Sequence, residues 1–150
     1  MPQSFACQHH HLIFSTKNRA RYLTPEILPQ LFAYLGGILR SEGGVLLAAG
    51  GMPDHLHLLV GIEKTASIAE TMRLVKAGSS RWIHETFPKL EGFAWQAGYG
   101  AFSVSYSHLQ KVKDYIDHQE EHHRMTTFEE EYRAFLERHG IVFDERYVWD

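Results

Sequence analysis

The stretch MPDHLHLLV, residues 52–60, places two histidines two positions apart in an otherwise apolar run. Along a β-strand successive side chains alternate between faces, so His55 and His57 share one face and Leu56 lies on the other. Two neighbouring imidazoles at the start of a buried strand provide half of a metal site. The same pattern also fits a hydrogen-bonded core histidine with an incidental neighbour, so a third ligand and a nucleophile must be sought elsewhere in the chain.

The segments around this stretch predict an alternation of strands and helices. The order is βαββαβ followed by two helices, which is that of a ferredoxin-like α+β fold, an antiparallel sheet with two helices on one face. The first and third strands normally lie at the centre of that sheet, so His55 and His57 would lie on a rigid central strand. The last two helices must cover the other face or reach a partner subunit. Strands are predicted at 5–15, 45–49, 55–62 and 102–106, and helices at 24–41, 67–87, 107–123 and 127–139.

Capping residues set the predicted helix starts. Thr24 followed by Pro25 fits an N-cap and the first helical position. Three capping boxes are predicted further along, at Ser67–Glu70, Ser107–Gln110 and Thr127–Glu130. These signals divide the chain into short elements without a linker, so residues 1–150 are predicted to form one domain.

The composition is that of a globular protein, with 44% hydrophobic and 13% aromatic residues among 150. No apolar run reaches the roughly 20 residues that a membrane span needs. The N-terminus does not resemble a signal peptide, and Cys7 is the only cysteine, so we predict a cytoplasmic protein. The net charge of −3 is unevenly distributed, with +2 over residues 1–109 and −5 over 110–150. A phosphate-binding surface in the first part therefore remains compatible with the acidic total.

A tyrosine and a glutamine lie four residues apart in the predicted helix 107–123. Tyr115 and Gln119 therefore share one helix face. A tyrosine hydroxyl is a poor nucleophile without help, but it suits DNA chemistry in which a phosphotyrosine bond stores the energy for rejoining. An amide oxygen on the same face can complete a His-His-oxygen site for Mg²⁺ or Mn²⁺, with phosphate oxygens as the remaining ligands. The alternative is that Tyr115 is a helix-packing aromatic.

These motifs and their flanking segments resemble the single-tyrosine HUH transposases. Those small enzymes move bacterial insertion sequences as single-stranded DNA, and REP-associated tyrosine transposases are their relatives. The most specific feature is a His-hydrophobic-His motif followed about 60 residues later by Tyr-x-x-x-Gln, in the right fold order. The resemblance extends through FSTKNR (14–19), GGMPDHLHLL (50–59), KAGSSRW (76–82), FAWQAGYGAFSVS (93–105) and YIDHQEEHHR (115–124).

The resemblance implies a mechanism and an assembly. It implies that His55, His57 and Gln119 bind a divalent metal, Mg²⁺ or Mn²⁺. It implies that Tyr115 attacks the scissile phosphate, forms a 5′-phosphotyrosine and releases a 3′-hydroxyl, with strand exchange by the reverse attack. The DNA would be single-stranded with imperfect hairpins near the element ends. A homodimer with composite active sites is implied, because the tyrosine helix of such enzymes typically completes the partner's site.

Further residues are candidates for DNA contact or for a supporting role. Each has a plainer alternative, such as a solvated loop, core packing or ordinary surface placement. The candidates for contact with the DNA backbone are Lys17, Asn18, Arg19, Lys76, Ser79 and Ser80. The candidates for base stacking are Trp95, Tyr99 and Phe102. The candidates for polar groups near the site are His9, His11, His118 and His122.

Two rival hypotheses remain. The first is a non-catalytic dimeric ferredoxin-like module that binds DNA or metal for regulation, and it predicts that Tyr115→Phe is tolerated. The second is a zinc site built from His55, His57 and another histidine. Zinc bound in stoichiometric amount without Mg²⁺-dependent cleavage would favour the second hypothesis.

Overall fold

The structure is a computed structural model that describes residues 2–150, and within them the strands form a single four-stranded antiparallel sheet. Strand order in the sheet is β2-β3-β1-β4, so β1 and β3 are central and the ferredoxin-like prediction is confirmed. The strands are β1 (His9–Ser15), β2 (Val45–Met52), β3 (His55–Gly61) and β4 (Gly100–Val104). The helices are α1 (Ile27–Ser41), α2 (Ile68–Thr86), α3 (Leu109–Asp117), α4 (Gln119–His122) and α5 (Phe128–Arg138). None of these helices has the length and apolar character that crossing a membrane requires.

One face of the sheet presents only apolar side chains to α1 and α2. Alternate residues of the two central strands point to this face, and all are fully buried: Leu12, Phe14, Leu56, Leu58 and Val60. The two helices meet them with Leu31, Leu35, Leu39, Met72, Val75 and Ile83. Burying a side chain of this kind contributes roughly 1.5–3 kcal/mol, so this layer is the main hydrophobic core.

The C-terminal helices cover the other face, one of the two roles that the sequence left open for them. Ile116 of α3 packs on Leu59 and Ala48. Helix α5 packs on the sheet near Ile13 and Phe102 with four residues, Phe128, Tyr132, Phe135 and Leu136. The polar residues of the central strands are therefore enclosed between the sheet and α3–α5.

Strand boundaries differ from the predicted ones at three places. Strand β1 begins at His9 rather than at residue 5, and β4 begins and ends two residues earlier than predicted. Strand β2 continues to Met52, so the glycines predicted for the turn lie inside the strand. Gly50 has a packing reason for this position, because a Cβ atom there would overlap the carbonyl oxygen of Ile116. The absence of a side chain thus lets the end of α3 lie directly on β2.

Helix boundaries confirm two of the predicted caps. The Ser67 hydroxyl accepts a hydrogen bond from the Glu70 amide, and Thr127 with Glu130 forms a reciprocal capping box. The Ser107 box is wrong, because residues 106–108 form a 3₁₀ turn and the Ser107 hydroxyl contacts Ser105 and His108 instead.

Helix α1 begins at Ile27 rather than at Thr24. The carbonyl group of Thr24 accepts hydrogen bonds from the Ile27 and Leu28 amides, and no side chain caps this helix. The carbonyl of Thr24, rather than its hydroxyl, therefore serves the first turn.

The predicted helix 107–123 is divided at His118. The imidazole Nδ1 of His118 lies 2.6 Å from the Asp114 carbonyl oxygen, which its own amide would contact in a regular helix. The amide instead donates to the carbonyl of Tyr115, three residues earlier. The chain therefore bends between α3, which carries Tyr115, and α4, which carries Gln119.

Candidate active site

Three histidines of the central strands lie side by side on the face under α3–α5. His11, His55 and His57 are almost completely buried. His57 Nδ1 lies 2.8 Å from His11 Nε2, and His55 Nδ1 lies 2.7 Å from a carboxylate oxygen of Asp54. Because both Nδ1 atoms have partners, the rings of His55 and His57 are oriented and their Nε2 atoms face the C-terminal helices.

Glu131 of α5 brings a buried carboxylate to these Nε2 atoms. Its Oε1 lies 2.9 Å from His57 Nε2 and 3.8 Å from His55 Nε2. His123 joins the group, with its Nε2 3.2 Å from Glu131 Oε1 and 3.1 Å from His55 Nε2. One ligand atom from each of these four residues lies within 4.8 Å of the others. We call these four residues the His/Glu cluster.

The predicted nucleophile lies beside this cluster. The Tyr115 hydroxyl donates a hydrogen bond to Glu131 Oε2, so the two carboxylate oxygens face different partners. Gln119 is buried, and its amide Nε2 lies 3.4 Å from the same Oε2. The Gln119 Oε1 lies 3.1 Å from His123 Nε2. The bend at His118 therefore still leaves tyrosine, glutamine and both strand histidines in one place.

Tyr115 reaches the histidines of its own chain. Its ring centroid lies 5.9 Å from that of His57, and Glu131 bridges the two residues. This arrangement requires no partner subunit to bring nucleophile and histidines together. The composite site of a homodimer stays a prediction.

Burial and the Glu131 carboxylate control the protonation of the site. Burial lowers the pKa of His57 to about 4, although Glu131 opposes this shift. Burial alone would raise the pKa of Glu131, but hydrogen bonds with His123 and His57 hold it well below its usual range. Burial, and then the Glu131 carboxylate, raise the pKa of Tyr115 far above its usual value. At neutral pH this is a carboxylate beside a neutral imidazole and a protonated phenol.

These side chains are suitable ligands for a divalent cation. Three imidazole nitrogens and one carboxylate oxygen converge in a buried place, with the Gln119 amide oxygen at its edge. Such a mixed nitrogen and oxygen set suits Mn²⁺ or Zn²⁺ better than Mg²⁺, which prefers oxygen ligands.

The predicted DNA contacts after β1 lie in a tight turn. Residues 17–19 form a 3₁₀ turn in which Asn18 and Arg19 have positive φ values of 58° and 55°. The Arg19 guanidinium lies 2.9 Å from Glu129 and stacks over the Trp149 ring at 5.4 Å. Arg19 is thus engaged by the C-terminal part of the chain, and DNA contact by residues 17–19 stays a prediction.

The predicted DNA contacts on α2 lie across the sheet from the histidines. The Lys76 ammonium donates to the carbonyls of residues 96, 97 and 98 at 2.6–3.2 Å. The Ser79 hydroxyl is fully buried, donates to the Val75 carbonyl and accepts from the Trp95 indole N–H. Ser80 is half-buried. The structure therefore does not bring these residues to the site, and it gives Ser79 and Trp95 a packing role.

A family model described as "Transposase IS200 like" matches residues 4–119. The chain belongs to the IS200-like transposase family. It is 28% identical over 115 residues to the ISDra2 transposase TnpA of Deinococcus radiodurans, covering 73% of this chain and 82% of that protein. It is 27% identical over 121 residues to the transposase for insertion sequence element IS200 of Salmonella typhimurium, covering 77% and 79%. The expected family is thereby confirmed.

Two solved structures are similar to this IS200-like transposase. A crystal structure of a candidate transposase from Deinococcus radiodurans superposes with a TM-score of 0.64 at 29% identity, covering 79% of this chain and 98% of that one. A REP-associated tyrosine transposase bound to a REP hairpin gives a TM-score of 0.60 at 15% identity, covering 82% and 73%. The second likeness shows the shared fold.

Two members of the His/Glu cluster lie beyond the family match and escaped the sequence prediction. No role in the site was predicted for Glu131, although it lies between Phe128 and Phe135 at helical spacing. A carboxylate on an apolar helix stripe was the available signal. His123 follows Gln119 by four residues, the same helical spacing that relates Gln119 to Tyr115, and this spacing was the available signal for His123.

The other histidine candidates divide between the site and the surface. His11 does contact His57. His122 Nε2 lies 3.4 Å from Glu131 Oε2, whereas His118 is exposed and contacts the Asp114 carbonyl. Of the two histidines expected beside Tyr115 and Gln119, His122 is therefore the one near the site.

Proposed function

We propose that this IS200-like transposase cleaves and rejoins single-stranded DNA at insertion-sequence ends through a 5′-phosphotyrosine on Tyr115. The observation that carries the proposal is the Tyr115 hydroxyl beside the buried pair His55 and His57, held there by Glu131. A nucleophile, a base and a set of metal ligands in contact are what phosphoryl transfer to a side chain requires.

The chemical step uses groups that already touch. The Tyr115 oxygen attacks phosphorus while its proton moves along the hydrogen bond to Glu131 Oε2, and the bond from phosphorus to the O3′ atom breaks. Glu131 is too acidic to keep that proton, which passes on to the released O3′ and makes it a 3′-hydroxyl, so bonds, protons and charges balance. Rejoining is the reverse attack by another 3′-hydroxyl, which needs no water or nucleotide cofactor.

We propose that His55 and His57 hold a divalent cation, Mn²⁺ or Mg²⁺, and that Gln119 is a further ligand. Gln119 Oε1 lies close to His123, and Glu131 Oε1 lies close to three imidazoles. These contacts support binding of one cation by all of these side chains. The bound cation would withdraw charge from the scissile phosphate oxygens. Glu131 then has two roles, with Oε1 directed to the histidines and Oε2 to the tyrosine.

The DNA is proposed to carry imperfect hairpins beside the cleaved strand. A REP-associated tyrosine transposase with the same fold is bound to a REP hairpin, which supports a hairpin ligand here. Residues 1–150 are proposed to act as one domain, since α5 supplies Glu131 to a site built on β3. The protein is proposed to act in the cytoplasm.

The proposal is tested by covalent capture. Protein, Mn²⁺ or Mg²⁺ and labelled single-stranded element ends are mixed, and the adduct is resolved on a denaturing gel. We expect an adduct with the natural sequence and none with Tyr115→Phe. Tyr106→Phe is the matched control, because Tyr106 is 76% exposed, and it should react normally. Absence of an adduct with the natural sequence, or its persistence in Tyr115→Phe, overturns the mechanism.

The assembly is tested by mixing two inactive variants, Tyr115→Phe and His57→Ala. If composite sites form in a homodimer, the mixture regains part of the activity, because one site combines an intact tyrosine with intact histidines. If each chain uses its own tyrosine, as the contact of Tyr115 with its own Glu131 supports, the mixture stays inactive.

A non-catalytic metal-binding module is the second candidate. Three imidazoles and a carboxylate are also a typical zinc set, which favours this alternative. Elemental analysis of protein purified without a tag separates the two: stoichiometric zinc without cleavage supports the module, and Mn²⁺-dependent cleavage supports the transposase.

A further inference from the structure

A cavity of about 340 Å³ lies beside the predicted nucleophile. Tyr115 and His11 form part of its wall, whereas the four residues of the His/Glu cluster do not line it. Tyr115 therefore separates the cluster from the cavity. Ligand pockets in proteins begin at roughly 300 Å³, so the cavity is large enough for one small ligand.

The charges around the cavity are of one sign. Lys111 of α3 and Arg138 at the end of α5 line it, and no aspartate or glutamate does. Neither cation forms an ion pair with any residue in the described range 2–150. Arg138 lies over the Phe135 ring, 5.2 Å from its centroid, so its charge is positioned without being neutralised. Residues 110–150 carry a net charge of −5, so an acid-free cavity with two cations outside any ion pair favours an anionic ligand.

The remaining wall is aromatic and apolar. Phe102 and Phe135 stack with ring centroids 5.4 Å apart, and the His139 ring lies 4.6 Å from Phe102. Val112 completes this side of the cavity. Aromatic surfaces beside cations are the combination that holds bases and phosphates of single-stranded nucleic acid.

We propose that this cavity holds the nucleotide that stays attached to Tyr115 through its 5′-phosphate after cleavage. Its base lies against the exposed His139 ring, at the edges of the buried Phe102 and Phe135 rings, and the next phosphate along the strand lies between Lys111 and Arg138. The inference rests on the proposed function, because a nucleotide bonded to the tyrosine oxygen must lie within one nucleotide length of it. The family match ends at residue 119, so Phe135 and Arg138 belong to a part of the chain that the match does not cover.

The test removes the two cations. Lys111→Gln/Arg138→Gln is compared with Lys113→Gln/Arg146→Gln, which removes the same charges from exposed positions that do not line the cavity. All proteins also carry Tyr115→Phe, so that DNA is bound in Mn²⁺ without being consumed. The probe is a 3′-labelled random-sequence single strand of about 12 nucleotides, a length within the site sizes of single-strand binders. The measurement is the dissociation constant as a function of salt concentration.

We expect the Lys111/Arg138 variant to bind more weakly and with a flatter salt dependence. Both cations face the same phosphate, so the variant loses one phosphate contact, which on a single strand lowers the slope of log K against log salt by about 0.7. An equal slope in the two double variants overturns the cavity assignment while the DNA-binding function stands. Failure of the Tyr115→Phe background itself to bind the strand overturns the assignment together with the proposed function.

A second measurement addresses the cavity directly. Thymidine 3′,5′-bisphosphate, which carries both the phosphate next to Tyr115 and the one proposed between the cations, is titrated into ¹⁵N-labelled protein, with thymidine and inorganic phosphate as separate controls. We expect the bisphosphate to shift the amide resonances of Phe102, Lys111 and His139 more than either control, and the Lys111/Arg138 variant to lose these shifts. Equal shifts in both double variants, or shifts confined to another surface, contradict the assignment.

Discussion

The two faces of the central sheet are built from alternate residues of the same strands, yet they differ in chemistry. On one face Leu56, Leu58 and Val60 pack against α1 and α2 in an apolar layer, where the buried Ser79 hydroxyl is hydrogen-bonded to Val75 and Trp95. On the other face His55 and His57 meet a buried carboxylate and a tyrosine. Desolvating imidazole and carboxylate groups costs free energy that their mutual hydrogen bonds only partly recover. The comparison indicates that the first face supplies stability and the second face supplies reactivity.

The largest effects are expected from substitutions of neighbouring β3 residues that point to opposite faces. Leu58→Ala leaves a cavity in the apolar layer and should lower the free energy of unfolding by about 2–5 kcal/mol. The adduct yield per folded molecule should stay close to that of the natural sequence. Urea denaturation and the gel assay measure the two quantities.

The adjacent His57→Gln variant should do the reverse. We expect it to lose the adduct and to lose less stability than Leu58→Ala, because glutamine is a polar side chain of similar size that can still hydrogen-bond and leaves no large cavity. If His57→Gln retains the adduct and unfolds as easily as Leu58→Ala, the assignment of stability to one face and reactivity to the other is wrong.

The next largest effect concerns the contact between α3 and β2. In Gly50→Ala the new methyl group overlaps the Ile116 carbonyl oxygen, so the end of α3 must move away from the sheet. Overpacking of this kind costs about 1–3 kcal/mol. Tyr115 precedes Ile116, so we also expect a loss of adduct beyond the loss of folded protein.

Gly37→Ala is the matched control for this prediction. A Cβ at Gly37 in α1 meets only the flexible end of Arg40, at 3.8 Å. The substitution should raise the free energy of unfolding by roughly 0.5–1 kcal/mol, since alanine favours a helix over glycine. An adduct yield for Gly50→Ala equal to that of Gly37→Ala would show that α3 tolerates the displacement.

Much of the fold could be predicted, because the period of apolar residues and the turn residues are local signals. Alternation along residues 55–61 predicted the two faces, and the boxes at Ser67 and Thr127 predicted helix starts. The bend at His118 could not be predicted this way, since it depends on a side chain competing for the Asp114 carbonyl. The requirement for glycine at position 50 could not be predicted either, because it arises from contact with α3, which is distant in the sequence.

The site could be predicted in part for the same reason. His55, His57, Tyr115 and Gln119 carry recognisable spacings, and the structure brings them together. No characteristic sequence spacing links Glu131 to the histidines of β3, because only the packing of α5 against the sheet brings Glu131 to the site. Glu129, Glu130 and Glu131 all lie in the first turn of α5, a local pattern that indicates a helix start but not that Glu131 is buried while Glu130 is exposed.

Glu131→Gln removes the negative charge that contacts His57, His123 and Tyr115 on the polar face. The amide keeps the shape of the side chain but binds cations poorly, so Mn²⁺ affinity measured by calorimetry should fall at least about tenfold. Glu137→Gln is the control, because Glu137 lies in the same helix, is exposed and contacts no histidine. Equal Mn²⁺ affinity in these two variants would exclude Glu131 as a ligand.

The smallest effects come from the two confirmed helix caps, one on each side of the sheet. Ser67→Ala on α2 and Thr127→Ala on α5 each remove one capping hydroxyl and should each lower the free energy of unfolding by about 1 kcal/mol. Their effects on Mn²⁺ affinity should differ, although their effects on stability are alike. Glu131 lies one residue after the capping partner Glu130, so fraying of the first turn of α5 loosens the carboxylate before the protein unfolds. Helix α2 carries no residue of the His/Glu cluster. Calorimetry should therefore find weaker Mn²⁺ binding for Thr127→Ala only. Equal weakening of Mn²⁺ binding in both variants would mean that the two faces of the sheet are not independent.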